Sequence, residues 1–170
     1  MTYIKTVHGD RFDFNEESTW SACFTPEIIA YSLAGIIRYT GHHRTRLTVA
    51  EHSVAVALRL REYGHTSGTQ LFGLYHDGSE AFLGDVSSPL KGLPCMEGYR
   101  LLEDQVQREL YFSLLGGLPT TEQSRVIHAC DKVEYEKEKT RYVAQSPEVA
   151  YKEFMALSAQ LFKETGLVTT

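Results

Sequence analysis

His76 and Asp77 stand side by side at the end of the apolar run Leu71-Phe72-Gly73-Leu74-Tyr75. An adjacent imidazole and carboxylate bring one borderline-soft nitrogen donor and one hard oxygen donor to the same point, which suits a divalent metal. Glu80 follows three residues after Asp77 and four after His76, so on a helix the three groups face one side. Two protein ligands seldom hold a metal, and the chain offers His52 upstream and Asp131 downstream to complete the set. Two imidazoles and two carboxylates fit a transition-metal dication such as Zn, Mn, Co, Fe or Ni, with one or two positions left for water. Such an ion lowers the pKa of its water and acts as a Lewis acid on a phosphoryl oxygen. Glu80 is placed to orient that water or move its proton. Asp85 could protonate a leaving oxygen or share additional Mg or Co with substrate phosphates. Arg38 and Lys91, with Arg44 or His42, would neutralise phosphate oxygens, a use for which the arginine fork is well shaped.

These groups need rigid elements behind them, and helical spacing dominates the chain. Thr25 places an N-cap hydroxyl before Pro26, and Ile28, Ile29, Leu33, Ile36 and Ile37 repeat at helical steps. The spacing predicts a helix over about 26–40, with Gly41 as its stop. Thr48-Val49-Ala50-Glu51 is a capping box, so a second helix starts at Val49 with His52 in its first turn. Thr69 is the expected cap of a third helix that runs through the His-Asp pair to Phe82. Leu83 to Lys91 then leaves helical spacing at Gly84 and Pro89 and reads as a loop over the site. Leu101, Leu102, Val106, Leu110, Leu114 and Leu115 mark an amphipathic helix ended by Gly116-Gly117. The next helix starts at Pro119 to Thr121 and carries Val126, Ile127, Cys130 and Val133 on its apolar face, with Asp131 beside it. Glu134, Glu136 and Glu138 interleave with Lys132, Lys137 and Lys139, a pattern that predicts a solvated surface, and His128 reads as structural. Ser146-Pro147-Glu148 caps a last helix through Tyr151, Phe154, Leu157 and Leu161. At the other end, Tyr3 to Val7 and Phe12 to Phe14 flank His8-Gly9-Asp10 as a short hairpin, and Trp20 reads as a core anchor. The expected fold class is all-α, a compact bundle of about six helices with a short N-terminal β-hairpin, in one domain over residues 1–170.

Composition limits the partners. The chain has 170 residues, 42% of them hydrophobic, enough for a real core. A net charge of -5 and a pI near 5.8 give no basic footprint for a nucleic-acid polymer, while leaving room for a local basic pocket around a small phosphorylated ligand. Cys23, Cys95 and Cys130 are odd in number and widely spaced, which fits reduced thiols better than a disulfide framework. No stretch approaches a membrane span, and the N-terminus lacks a signal peptide's apolar segment. The expectation is a soluble cytoplasmic protein with no membrane partner.

The order His52, His76-Asp77, Asp131 in a helical chain resembles the HD-domain metallophosphohydrolases. More narrowly, R-Y-T-G-H at 38–42, V-A-E-H-S at 49–53, H-D-G-S-E-A-F-L-G-D at 76–85 and S-P-L-K at 88–91 are similar to one branch of that family. This branch contains bacterial deoxyribonucleoside 5'-monophosphatases and small phage dATP triphosphohydrolases. The resemblance covers about residues 25–140. It implies that His52, His76, Asp77 and Asp131 bind the metal, Glu80 and Asp85 assist catalysis, and Arg38 and Lys91 contact phosphate. It further implies that Tyr39, where tryptophan is often found, and Pro89 sandwich the base. The implied substrate is a deoxynucleotide, with dATP cleaved to deoxyadenosine and triphosphate placed first. The implied setting is a bacterial or phage-infected cell, and the implied assembly a dimer or hexamer. Two other readings remain open at this point, a 5'-nucleotidase on monophosphates and a non-catalytic scaffold that binds metal or nucleotide.

Overall fold

The structure, a computed structural model, describes residues 2–141 and 143–168. Tyr3–Lys5 (β1) and Arg11–Asp13 (β2) pair antiparallel, with Tyr3 opposite Asp13 and Ile4 opposite Phe12. The connecting turn uses Gly9 at φ 92, where a glycine carries no steric penalty. Phe12 is fully buried and stacks with both Trp20 and Phe82, at centroid distances of 5.2 and 4.4 Å. Trp20 is a core anchor whose indole N–H donates to the Asp13 carbonyl at 2.7 Å. The hairpin is thereby fixed to Phe82, two residues from Glu80.

The rest is helical. Among the described residues, six helices have eight or more residues: Pro26–Gly35 (α1), Val49–Glu62 (α2), Ser67–Leu74 (α3), Glu97–Leu115 (α6), Thr121–Glu138 (α7) and Pro147–Thr165 (α8). Single turns at Glu80–Leu83 (α4) and Ser88–Lys91 (α5) lie between α3 and α6. The architecture is all-α with a small hairpin. α2 is the central element, packed against α1, α3, α7 and α8. Its start is fixed by the capping box, in which Thr48 accepts from the Glu51 amide and Glu51 accepts from the Thr48 amide. Among the described residues, no helix is long and apolar enough to cross a membrane.

Two helices stop short of the apolar spacing, and both stops serve the site. α1 ends at Gly35 rather than near residue 40 because Ile37 bridges Thr48 in antiparallel fashion. The Arg38 amide donates to Leu47 and the Val49 amide to Ile36, so strand-like pairing with the entry to α2 replaces further helical turns. Arg38 is left extended, and Tyr39 and Thr40 take left-handed backbone angles at φ 59 and φ 54.

α3 ends at Leu74, before the His-Asp pair, and its cap is Thr66, which accepts from the amide of Thr69. The predicted run to Phe82 is instead a series of tight turns through residues 75–79, with Gly78 donating to Tyr75 and Glu80 to Asp77. Gly78 permits this path, since a Cβ there would lie 2.8 Å from Leu110 of α6 and 3.0 Å from the Tyr75 carbonyl. The segment expected as a loop, Leu83 to Lys91, closes into α5 over its last four residues.

Candidate functional site

His52 comes from the first turn of α2, His76 from the turn after α3, and Asp131 from α7. One ligand atom of each lies within 4.8 Å of the other two, a group that could hold a metal ion. The outer partners of the imidazoles decide which nitrogen faces the cluster. His76 Nδ1 lies 2.8 Å from the Gly73 carbonyl, an acceptor only, so Nδ1 carries the hydrogen. His52 Nδ1 lies 2.7 Å from Glu138 Oε1, with the same result in the neutral ring. Each Nε2 is therefore left with a lone pair. Both Nε2 atoms are buried without a hydrogen-bond partner among the described residues, although Asp131 Oδ1 lies 3.1 Å from that of His52. Buried polar atoms are normally satisfied, so imidazole nitrogens that face shared carboxylates in this way fit a bound cation.

Asp77 borders this group, with Oδ2 at 3.3 Å from His76 Nε2 and 3.8 Å from His52 Nε2. The same oxygen lies 3.6 Å from Arg38 Nη1. The Arg38 Nε–H donates to Glu138 Oε2 at 3.1 Å, and the Tyr39 hydroxyl donates to that oxygen at 2.5 Å. Burial would lower the His52 pKa, but the carboxylates of Asp131 and Glu138 outweigh it and raise it to about 9. In metal-free protein those acids would hold a proton at His52, which a metal would have to displace. Asp131 and Glu138 are both lowered to about 2; burial opposes this, and His52, with Arg38 adding, prevails. Burial also works against the Arg38 charge, yet Glu138 and Asp77 leave its pKa raised.

A cleft of about 390 Å³ opens above the cluster, a size ordinary for a small-molecule site. Arg38, Tyr39, Asp77, Glu80, Asp85, Pro89, Lys91 and Asp131 all line it, so most of the expected site residues meet there. His42 does not; it is exposed and outside the cleft, because the early end of α1 and the left-handed turn at 39–40 redirect the chain. His43 takes a ring contact with Tyr39 instead, at 5.3 Å. Asp85 accepts from the Tyr39 amide at 3.2 Å, tying the 83–91 segment to the arginine segment. Lys91 lies 2.9 Å from Glu103 and 4.0 Å from Glu80. Glu80 is 5% exposed, and its Oε2 has no partner among the described residues. Burial, with Asp77 and Asp85 nearby, raises its pKa well above the carboxylate range.

Three residues were not anticipated. Glu134 and Glu138 are buried, contrary to the solvated surface expected of the Glu-Lys pattern, while Glu136 is exposed. Positions 131, 134 and 138 form one stripe at helical spacing, and that stripe faces α2: Glu134 accepts from Arg59, and Glu138 from His52. The signal was present in the spacing from Asp131. Gln107 of α6 clamps the turn that carries the His-Asp pair, donating to the Tyr75 carbonyl and accepting from the Ser79 amide, each at 2.9 Å. No local sequence signal marks it. His128, read as structural, also lines the cleft.

No family model matches the chain. A curated relative, the uncharacterized protein YfdR of Escherichia coli (strain K12), is 30% identical over 133 residues, which are 76% of this chain. The chain spans 66% of that relative's length.

Proposed function

We propose that the protein is a metal-dependent phosphohydrolase of the HD type acting on deoxynucleotides, with dATP as the first candidate substrate and deoxyadenosine and triphosphate as products. The observation that carries this reading is the convergence of His52, His76 and Asp131 ligand atoms within 4.8 Å of one another, with His76 Nε2 buried and without a hydrogen-bond partner among the described residues, beside the cleft that Arg38 and Lys91 line. His52, His76, Asp77 and Asp131 would hold a divalent transition metal, which when bound supplies Lewis acidity toward a phosphoryl oxygen and an acidified water. Arg38 and Lys91 bring cationic donors to substrate phosphates, and Tyr39 and Pro89 offer apolar surface to a base. Glu80, whose pKa burial and the neighbouring acids raise in metal-free protein, is placed to orient that water or move its proton. Asp85 keeps Tyr39 in place through its amide.

The test is purified protein loaded in turn with Co, Mn or Zn and given each deoxynucleoside mono- and triphosphate, with the phosphate product identified by phosphorus NMR. Release of intact triphosphate from dATP is expected, and His76→Ala should abolish it. Activity on dAMP alone would convert the reading to a 5'-nucleotidase. Bound metal with no turnover of any nucleotide would leave a non-catalytic metal-binding domain.

A further inference from the structure

We propose that Glu138 is a positioning residue that couples the two halves of the site, orienting His52 for the metal with one oxygen and placing Arg38 and Tyr39 for substrate with the other. The substrate half of this inference rests on the phosphohydrolase reading; the metal half rests on geometry alone. Glu138 is 4% exposed on α7, and three donors from two separate segments converge on it. Oε1 takes His52 Nδ1 at 2.7 Å, and Oε2 takes Arg38 Nε at 3.1 Å and the Tyr39 hydroxyl at 2.5 Å. An ionised carboxylate only accepts, so all three bonds are charge-assisted and each fixes its donor.

The arrangement goes beyond compensating a buried charge, for which Arg38 alone would serve. Asp131 and Glu138 lie seven residues apart on one helix face and bracket the same imidazole, Asp131 near Nε2 and Glu138 at Nδ1. Accepting from Nδ1 holds the tautomer with Nε2 free and increases the basicity of that nitrogen toward a cation. The second oxygen works on the cleft wall. Tyr39 and Thr40 hold backbone angles that non-glycine residues rarely adopt, and such conformations persist only where surroundings fix them. Glu138 on the hydroxyl and Asp85 on the amide are two of the tethers of Tyr39, and Arg38 is stretched between Glu138 and Asp77. A neutral amide at 138 would present one acceptor oxygen and could not serve both sides.

The experiment uses the whole 170-residue chain, metal-free, with Glu138→Gln, Glu138→Asp and Tyr39→Phe. Co²⁺ alone is titrated against a chromophoric chelator, and dATP kinetics are then measured at saturating Co²⁺. Glu138→Gln should weaken Co²⁺ binding by about 10–100-fold, and at saturating metal should still raise KM for dATP by about tenfold or more through misplaced Arg38. Tyr39→Phe should raise KM while leaving Co²⁺ affinity unchanged, and Glu138→Asp, an acceptor with shorter reach, should fall between the parent and Glu138→Gln. Parental Co²⁺ affinity in Glu138→Gln overturns the metal half, and parental KM overturns the coupling. If Glu138→Gln does not fold, parental affinity and KM in Glu138→Asp overturn the proposal in its place. A parent that binds Co²⁺ but neither binds nor cleaves any nucleotide sinks the phosphohydrolase reading and the coupling with it, while the Co²⁺ titration still decides whether Glu138 orients His52.

Discussion

Two glutamates reach the site from different helices and are equally buried. Glu138 on α7 meets an imidazole, a guanidinium and a phenol, and its acidity is strengthened to about 2. Glu80 at the start of α4 meets Asp77 and Asp85 across the cleft, has its cation Lys91 only at 4.0 Å, and is weakened as an acid. Burial pushes both upward, so the partners decide the outcome. In metal-free protein the fold favours the ionised form of one carboxylate and the protonated form of the other, on the two sides of the His52, His76 and Asp131 cluster.

The largest test of that division is Glu80→Gln, which keeps the shape and neutrality of the group but removes its transferable proton. Turnover of dATP should fall by about 10²–10⁴-fold, with Co²⁺ affinity unchanged. A variant that keeps parental turnover would remove Glu80 from the chemistry. Stability should separate the pair in the opposite sense. Glu138→Met takes from buried His52 and Arg38 their closest acidic partner and should cost about 3–5 kcal/mol in urea unfolding. Glu80→Met removes a buried oxygen that has no partner among the described residues and should leave stability near neutral pH unchanged or raised, since the unfolded chain alone ionises Glu80 there. Equal losses would show that the two sites are not electrostatically distinct.

Acidity differences also predict opposite pH limbs in metal-free protein. Glu138 lies below its ordinary value of 4.5, so the stability it contributes is present above 4.5 and is lost as pH falls toward 2. Glu80 lies above 4.5, so its contribution is full below 4.5 and is lost as pH rises through its folded value. His52, raised from 6.5 to about 9, loses its contribution as pH rises through 9. Thermal melting of metal-free Glu138→Gln should therefore flatten the acid limb, and Glu80→Gln should lessen the decline above pH 4.5. Matching profiles for the two variants would contradict the assignment.

How much of this was readable in the chain differs between the two glutamates. Glu80 is visible from its spacing to His76-Asp77, even though the helix assumed for that spacing does not exist. The tight turns at 75–79 keep the three groups together because the amides of Gly78 and Glu80 donate three residues back, to Tyr75 and Asp77, close to helical pitch. Capping signals at Thr25, Thr48 and Ser146 place three helix starts correctly, since they depend on local hydrogen bonds. The end of α1 was not legible, because the pairing of Ile37 with Thr48 is a contact between segments. Glu138 was hidden for a related reason. Alternating Glu and Lys reads as solvated until α2 is known to cover one stripe of α7. Gln107 shows the limit most plainly: its role depends on α6 crossing the 75–79 turn, and nothing within α6 signals that crossing.

The smallest expected effect concerns what holds Glu80 neutral. Lys91 lies closer to Glu103, at 2.9 Å, than to Glu80, so Glu103 draws off the charge that would otherwise ionise it. Among the described residues the acidic contacts of Arg38, Glu138 and Asp77, both belong to the site. Glu103→Gln should free Lys91 for Glu80 and lower the Glu80 midpoint. The shift should be under about one pH unit, because a partly exposed ion pair is worth under about 1 kcal/mol. Carbon-13 titration of glutamate side-chain carboxyls in metal-free protein reads that midpoint directly, with Glu80→Gln identifying the resonance. A midpoint that does not move would mean that burial and the acids Asp77 and Asp85 alone set Glu80, and that the contrast with Glu138 owes nothing to where the cations stand.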